Sequence, residues 1–429
     1  MRRNDLPEIS IYAVQTKMAE EPDSISAQRA CLALVVADDL TGACDAGVQF
    51  ARSRLRSVVE IASGDASLDA DVRIVNSRSR HELPEAAAEE VGRLTRRLAP
   101  DAGTICLKKV DSTLRGNIVA ESKAMMRAAD LDFAVIAPAL PAQGRTVAGG
   151  MLYVRDCAGS STIDARAVLS KQGLKNIPLL SAGDATTPKK MAQEILRLRN
   201  GGAEFILCDS ETKQDLERIA QALYQLPQRA LWIGSAGLAK CAAQILATAF
   251  HQHGAGRAVA SSEKSETISV GDSRQRPAPI LFCIGSDHPV TMLQVRCLRE
   301  SGKADVLNAG TATLDDVRNI VRQGRHLLLL LYGMEADCKR VRVLIAEARS
   351  AGISAALLSG GNTAEFVCDA IGAAAILLRD EVSPGIPWGV FRGGVLDGLL
   401  AVTKAGGFGD EMALVNVAEL MGTIESGAQ

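Results

Sequence analysis

Short apolar runs with strand composition recur along this chain, and nearly every one stops at a cluster of acids, glycines or basic residues. In the first half they are Cys31–Ala37, Val58–Ala62, Val72–Asn76, Thr104–Leu107, Phe133–Ala137, Phe205–Cys208 and Leu231–Ile233. Between several of them lie stretches such as Leu83–Leu98 and Pro188–Arg199, with apolar residues at helical spacing among many charges. Strands that are apolar throughout and alternate with amphipathic helices need a mostly parallel sheet covered on both faces, which is an α/β fold.

The pattern breaks at His251–Pro279, where Gly, Ser and charged residues replace large apolar ones, a linker composition. A second α/β series follows: Ile280–Ile284, Ala304–Leu307, Leu327–Tyr332, Ile353–Leu358, Ala374–Leu378 and Leu399–Thr403. A chain of 429 residues exceeds one ordinary core. The expectation is therefore an N-terminal extension over 1–29, an α/β domain over 30–255, a linker over 256–278 and a second α/β domain over 279–429, with the active site between the two.

Bulk properties exclude several classes. Lysine and arginine number 48 against 50 acids, a formal charge of −2, so the basic excess of a nucleic-acid or membrane-surface binder is missing. The longest aliphatic stretch, Leu327–Leu331, is far short of the roughly 20 residues that span a bilayer. The first residues carry acids and no apolar core, which argues against a secretory signal. Ten cysteines, none in a C-x-x-C pair, fit a reducing cytoplasm, and five histidines form no H-E-x-x-H motif.

Open α/β sheets bind ligands beyond the carboxyl ends of their strands. After Cys31–Ala37 come Asp38, Asp39, Thr41 and Gly42. Either an acid caps the following helix, or the pair accepts substrate hydroxyls and activates one of them. After Thr104–Leu107 comes KKVDSTLRGN, where Arg115 offers a planar fork for a carboxylate, Lys108 or Lys109 a point charge, and Asp111 and Ser112 partners for hydroxyls. After Phe133–Ala137, two prolines stiffen a loop that presents Gln143 and Arg145. WIGSAGLA lacks the first glycine of a nucleophile elbow and reads as a turn of small residues that permits a close approach to the backbone. This rim suits a small, hydroxylated, anionic ligand such as a sugar acid.

The second half offers two strand-to-glycine turns, at Gly360–Gly361 and at Ala405–Gly407, with Lys404 beside the latter. Together with GSDHP (Gly285–Pro289) they suit phosphate groups, since bare backbone N–H groups and helix N-termini favour negative charge. Neither is a Walker A or a Rossmann fingerprint. Gly385–Gly394, GIPWGVFRGG, reads as a hairpin lip over a base or as an edge strand.

VVADDLTGACDAG, KKVDSTLRGN, PALPAQGRT, WIGSAGLA, SGGNTA and VTKAGGFGD occur here in the order seen in the four-carbon acid sugar kinase family, which the chain resembles from Leu32 to Leu420. The resemblance implies an N-terminal domain for a tetronate-like sugar acid and a C-terminal domain for ATP, with Mg²⁺, and phosphorylation of the substrate's terminal hydroxyl. It carries over Asp38, Asp39, Lys109, Asp111, Ser112 and Arg115 on the substrate side, beside Gln143 and Arg145. The catalytic pair is expected to be Asp38 and Asp39, one accepting the attacking hydroxyl's proton while the other orients it. Ser286, Gly360, Gly361, Lys404, Ala405, Gly406 and Gly407 carry over on the nucleotide side. Metal ligands are not assigned. Two positions depart from the family pattern: Asn362 stands where an acid is usual, so magnesium handling is expected either to be weakened or to shift to Asp410, and His288 stands where small hydroxyl residues are common.

A non-catalytic sensor of sugar acid and nucleotide, a kinase for a branched or five-carbon acid, and a nicotinamide-dependent dehydrogenase are the alternatives, the last lacking its fingerprint. The expected partner is a small sugar acid, with no nucleic acid and no membrane. A homo-oligomer is compatible with the sequence, which leaves the oligomeric state, the identity of the acid and the choice between the two aspartates open.

Overall fold

A computed structural model describes residues 31–61, 69–156, 159–181, 183, 185–253, 278–333 and 337–421. The expected N-terminal extension and the stretch 256–277 of the expected linker lie outside these. One 15-stranded sheet runs through the described chain. From one edge its order is Ala304–Asn308, His326–Leu330, Ile280–Ile284, Ala355–Ser359, Leu400–Lys404, Ile386–Arg392 and Ala375–Ser383. It continues through Ser57–Glu60, Val72–Asn76, Ala33–Ala37, Ile105–Lys109, Leu231–Gly234, Ala134–Ala137, Phe205–Cys208 and Leu179–Leu180.

The sheet is mostly parallel, as the uninterrupted apolar runs require. Ala33–Ala37 and Ile280–Ile284 are buried along their whole length, because helices cover both faces. The antiparallel pairings are confined to the hairpin Ala375–Ser383/Ile386–Arg392 and its two flanks. That hairpin joins the two series: Ala375, Ile376 and Leu377 pair with Glu60, Val59 and Val58. GIPWGVFRGG is thus not an edge strand, since Ile386–Arg392 is paired on both sides; it is one arm of a hairpin whose turn residue Gly385 lines the cleft described below.

A second sheet, Arg145–Ala148, Met151–Asp156 and Gly159–Asp164, is antiparallel and stands apart. The sequence reading placed no strands there. Gly149 and Gly150 turn its first hairpin at φ 59° and 77°, a left-handed pair that glycine adopts without steric cost.

Further contacts tie the two series together. Arg78 forks onto Asp369 at 2.6 Å, Gln49 Nε2 donates to Glu381 at 2.7 Å, and the Leu40 N–H donates to Glu365 at 3.2 Å. The helix Leu40–Arg52 lies at this junction and is buried from Leu40 to Phe50. Among the described residues no helix is long and apolar enough to cross a membrane.

Candidate active site

The sheet register aligns the strand ends and so builds the site. Asn76, Ala37, Lys109, Gly234 and Ala137 stand in one row across five parallel strands. Ile284, Ser359 and Lys404 stand in a second row on the other side of the hairpin. The residues that follow both rows line one cleft of about 490 Å³, a size suited to small ligands. Asp39, Lys109, Asp111, Ser112, Arg115 and Arg145 face Ser286, Gly360, Gly361, Ala405, Gly406 and Gly407 across it.

Both readings of the aspartate pair hold in part. Asp39 caps the helix Leu40–Arg52, accepting from the Gly42 N–H at 2.9 Å and the Thr41 hydroxyl at 2.8 Å. It also lines the cleft. Asp38 does not line it; this side chain sits behind, 3% exposed.

What holds both is Arg80, which the sequence reading missed. Its Nε and Nη2 donate to Asp38 at 2.9 and 2.8 Å, and Nη1 and Nη2 to Asp39 at 2.7 and 2.8 Å. Burial alone would raise the Asp38 pKa, but the Arg80 guanidinium, with Lys108 and Lys109 in support, holds it below the usual value. Burial likewise opposes the charge on Arg80, yet Asp39 and Asp38 raise its pKa above that of an ordinary guanidinium. The signal for Arg80 was present: Val72–Asn76 is one of the apolar runs, and SRSRH follows it directly.

Consecutive strand residues point to opposite faces, and this separates the two lysines. Lys108 turns away from the cleft to a fully buried ion pair with Glu121 at 2.7 Å. Lys109 turns to the cleft, its Nζ donating to the Val110 carbonyl at 3.0 Å. Arg115 lines the cleft but is engaged on one side by Asp111, at 2.8 Å to each oxygen. Burial would raise the Asp111 pKa; the bonds and charge of Arg115 hold it well below the carboxylate range. Asp45, also missed, projects into the cleft from the second turn of the helix Leu40–Arg52.

On the opposite wall the glycines are there for contact. A Cβ on Gly361 would stand 2.6 Å from Asp39 Oδ2, and one on Gly406 would stand 2.6 Å from Ser286 Oγ. The helix Gly361–Ile371 is preceded by Gly360, φ 100°, has no side-chain cap, and lines the cleft with its first residues, Gly361, Asn362 and Thr363. That arrangement favours an anion.

Lys404 is not in the lining. Fully buried beneath the second glycine turn, it donates to the carbonyls of Ala405, Gly406 and Phe408 at 3.0–3.2 Å, so its charge shapes the turn. Gln143 also lies outside the lining; its amide ties the loop to the Pro384 carbonyl at 2.7 Å. Arg145 stacks on Phe408, 5.6 Å from the ring centroid. Asp410, the expected substitute for the missing acid at position 362, caps the Met412 N–H outside the lining. His288 caps Val290 through Nδ1 at 3.2 Å and packs under Gly407. In WIGSAGLA, what approaches the backbone is the neighbouring loop: Ser235 Oγ donates to the Ala139 carbonyl at 2.8 Å.

Residues 33–242 match a family described as a sugar-binding N-terminal domain, and residues 332–414 one described as a nucleotide-binding C-terminal domain. The chain is 33% identical to a D-threonate kinase of Cupriavidus necator, over 90% of this chain and 97% of that protein. It is 26% identical to a 3-oxo-tetronate kinase of Pseudomonas savastanoi pv. phaseolicola, over 87% and 94%, and 25% identical to a D-erythronate kinase of Heliobacterium modesticaldum, over 89% and 94%. A crystal structure of a Haemophilus influenzae protein shares the fold, with a TM-score of 0.66 at 21% identity over 90% of this chain and 99% of that one.

Proposed function

The chain belongs to the four-carbon acid sugar kinase family, and we propose that its substrate is D-threonate, phosphorylated by ATP on the terminal hydroxyl. Kinase activity towards a four-carbon sugar acid follows from similarity along nearly the whole chain to threonate, 3-oxo-tetronate and erythronate kinases. The choice of threonate rests on the greater identity to kinases of that acid, 29–33% in three organisms.

One observation carries the proposal: the Asp39 carboxylate lies directly against the backbone of Gly361. A hydroxyl held at the acidic rim and a phosphate held at the glycine turn would therefore meet. Positioning and charge stabilisation dominate phosphoryl transfer, so this juxtaposition is the main requirement. Arg115 and Lys109 bind the substrate carboxylate, Asp39 and Arg80 orient its hydroxyls, and Asp111 and Ser112 complete that wall. Ser286, the Gly361 helix terminus and the Ala405–Gly407 backbone hold the ATP phosphates. Lys404 keeps that turn in shape from below.

Magnesium usually takes one or two protein carboxylates plus phosphate oxygens. Among the described residues no three His, Cys, Asp or Glu side chains form a ready-made metal cluster. Asp287 and Asn362, exposed in the cleft beside the glycine turns, fit the phosphate-bridged arrangement and would hold the ion. When bound, it would neutralise charge on the phosphates.

In a coupled assay of ADP release, kcat/KM is expected to be highest for D-threonate, lower for D-erythronate and 3-oxo-tetronate, and zero for a 4-deoxy analogue. A higher kcat/KM for another acid would remove the threonate assignment. ATP binding without turnover on any four- or five-carbon acid would contradict the kinase reading.

A further inference from the structure

We propose that Asp45 is the catalytic base that takes the proton from the attacking hydroxyl, an assignment that rests on the kinase reading above. Three buried carboxylates line the cleft: Asp39, Asp45 and Asp111. The oxygens of Asp39 accept four hydrogen bonds, two from Arg80 and one each from Thr41 and Gly42. Those of Asp111 are taken up by Thr113 and Arg115. The lone pairs of both carboxylates are therefore already taken up by protein donors.

Asp45 is different. Only 6% exposed, it opens into the cleft, and among the described residues no donor is bonded to its side-chain oxygens. Gln49, one turn on, donates instead to the Asp45 backbone carbonyl and to Glu381. An acceptor that opens into the cleft with no protein donor of its own is suited to a group delivered by a ligand.

Asp39 at the N-cap, Gly42 and Asp45 recur at a spacing of three along the start of the helix Leu40–Arg52, and all three line the cleft. The missing side chain at Gly42 leaves room for the Lys109 ammonium, 3.0 Å from where a Cβ would stand. The charged groups that bear on Asp45 are Lys109 from the adjoining strand, Glu381 from the hairpin and Asp39 at the helix start. Burial is the largest influence; Lys109 opposes it and the two acids add to it, which brings the carboxyl to about 7. A general base works best with a pKa near the operating pH.

In the step itself the substrate O–H bond breaks and its proton passes to Asp45. The oxygen forms a bond to the γ-phosphorus while the bond from that phosphorus to the β,γ-bridging oxygen breaks, its electron pair leaving with ADP. Asp45 then returns the proton to solvent.

The test compares wild type with Asp45→Asn and Asp45→Glu, using ATP, Mg²⁺ and the four-carbon acids. Asp45→Asn is expected to lower kcat by about 10²–10⁴-fold, the usual worth of a general base, with KM for ATP little changed. Wild-type kcat/KM should fall on an acidic limb with its midpoint near 7, and the variant should lack that limb. Asp45→Glu should recover part of kcat.

A folding defect is separable. Because the folded-state pKa is raised, ionised Asp45 costs stability as the pH rises from the unfolded value through the folded one. Asp45→Asn should therefore melt no lower than wild type at pH 8. A kcat within tenfold of wild type with the acidic limb retained, or a raised KM at unchanged kcat, would overturn the assignment while leaving the kinase reading intact. Wild type inert on every acid would overturn both.

Discussion

Replacing Arg80 with alanine is expected to abolish measurable turnover and to reverse the sign of the Asp38 contribution to stability as the pH changes. In the wild type one guanidinium makes four hydrogen bonds to Asp38 and Asp39. Asp38 keeps a lowered pKa, so its contribution to stability is present above the unfolded carboxylate value and is lost as the pH falls through the folded one.

Without Arg80 the burial of Asp38 remains and its strongest opposing charge is gone. The pKa then rises above the unfolded value, and the stability of Arg80→Ala should decline more steeply than that of wild type as the pH rises above the unfolded carboxylate value. Breaking a buried ion pair by removing one partner typically costs roughly 3–5 kcal/mol. Scanning calorimetry at three pH values, beside the ADP-release assay, reads both effects. Arg80→Lys should recover little activity, since an ammonium cannot fork across two carboxylates. An alanine variant with kcat/KM within tenfold of wild type would show that the aspartate–arginine cluster does not organise the site.

Gly361→Ala carries the second large effect, and its sign is diagnostic. On helix propensity alone the substitution should be mildly favourable, by less than the roughly 1 kcal/mol of a helix interior, because Gly361 is the first residue of its helix. The new methyl would instead lie 2.6 Å from Asp39 Oδ2, inside van der Waals contact. Asp39 is held by four hydrogen bonds and cannot move aside without losing some of them. The expected result is a loss of about 10²-fold in kcat/KM and a lower melting temperature, measured beside Gly103→Ala. In that control the added Cβ would meet Asp101 at an ordinary 3.5 Å. Unchanged kinetics in Gly361→Ala would mean that the two walls are further apart during catalysis than in this structure.

The fold was largely legible because its signal is dense. Most buried parallel strands are largely apolar runs, and helices such as Pro84–Leu98 and Lys213–Tyr224 carry an amphipathic stripe. The continuity of the sheet was not legible. The pairing of Val58 with Leu377 joins residues far apart in the chain, and no local pattern reports such a partner. The small antiparallel sheet was missed although Gly149–Gly150 is a hairpin signal, because its third strand, Gly159–Asp164, is almost wholly exposed and carries little apolar pattern.

The rule that ligands lie beyond the strand ends picked out Asp39, residues of the Lys109–Arg115 loop and both glycine turns, which line the cleft, and Asp38, which lies behind it. Applied to Val72–Asn76 as well, it would have found Arg80. Asp45 lies one helical turn inside its motif, where the rule does not look, and its lack of partners shows only in three dimensions. Lys404 shows the converse: a lysine beside glycines reads as a phosphate ligand, while its burial under three carbonyls makes it a support for the turn.

The measurement that tests the central claim most directly is phosphorus NMR of the product formed from ATP and D-threonate. Transfer to the terminal hydroxyl predicts a phosphomonoester resonance coupled to the two methylene protons of C4, growing as ADP appears. Coupling to a single methine proton would place the phosphate on another carbon. Inorganic phosphate alone would mean that the cleft delivers the γ-phosphoryl group to water, and either result would contradict the account.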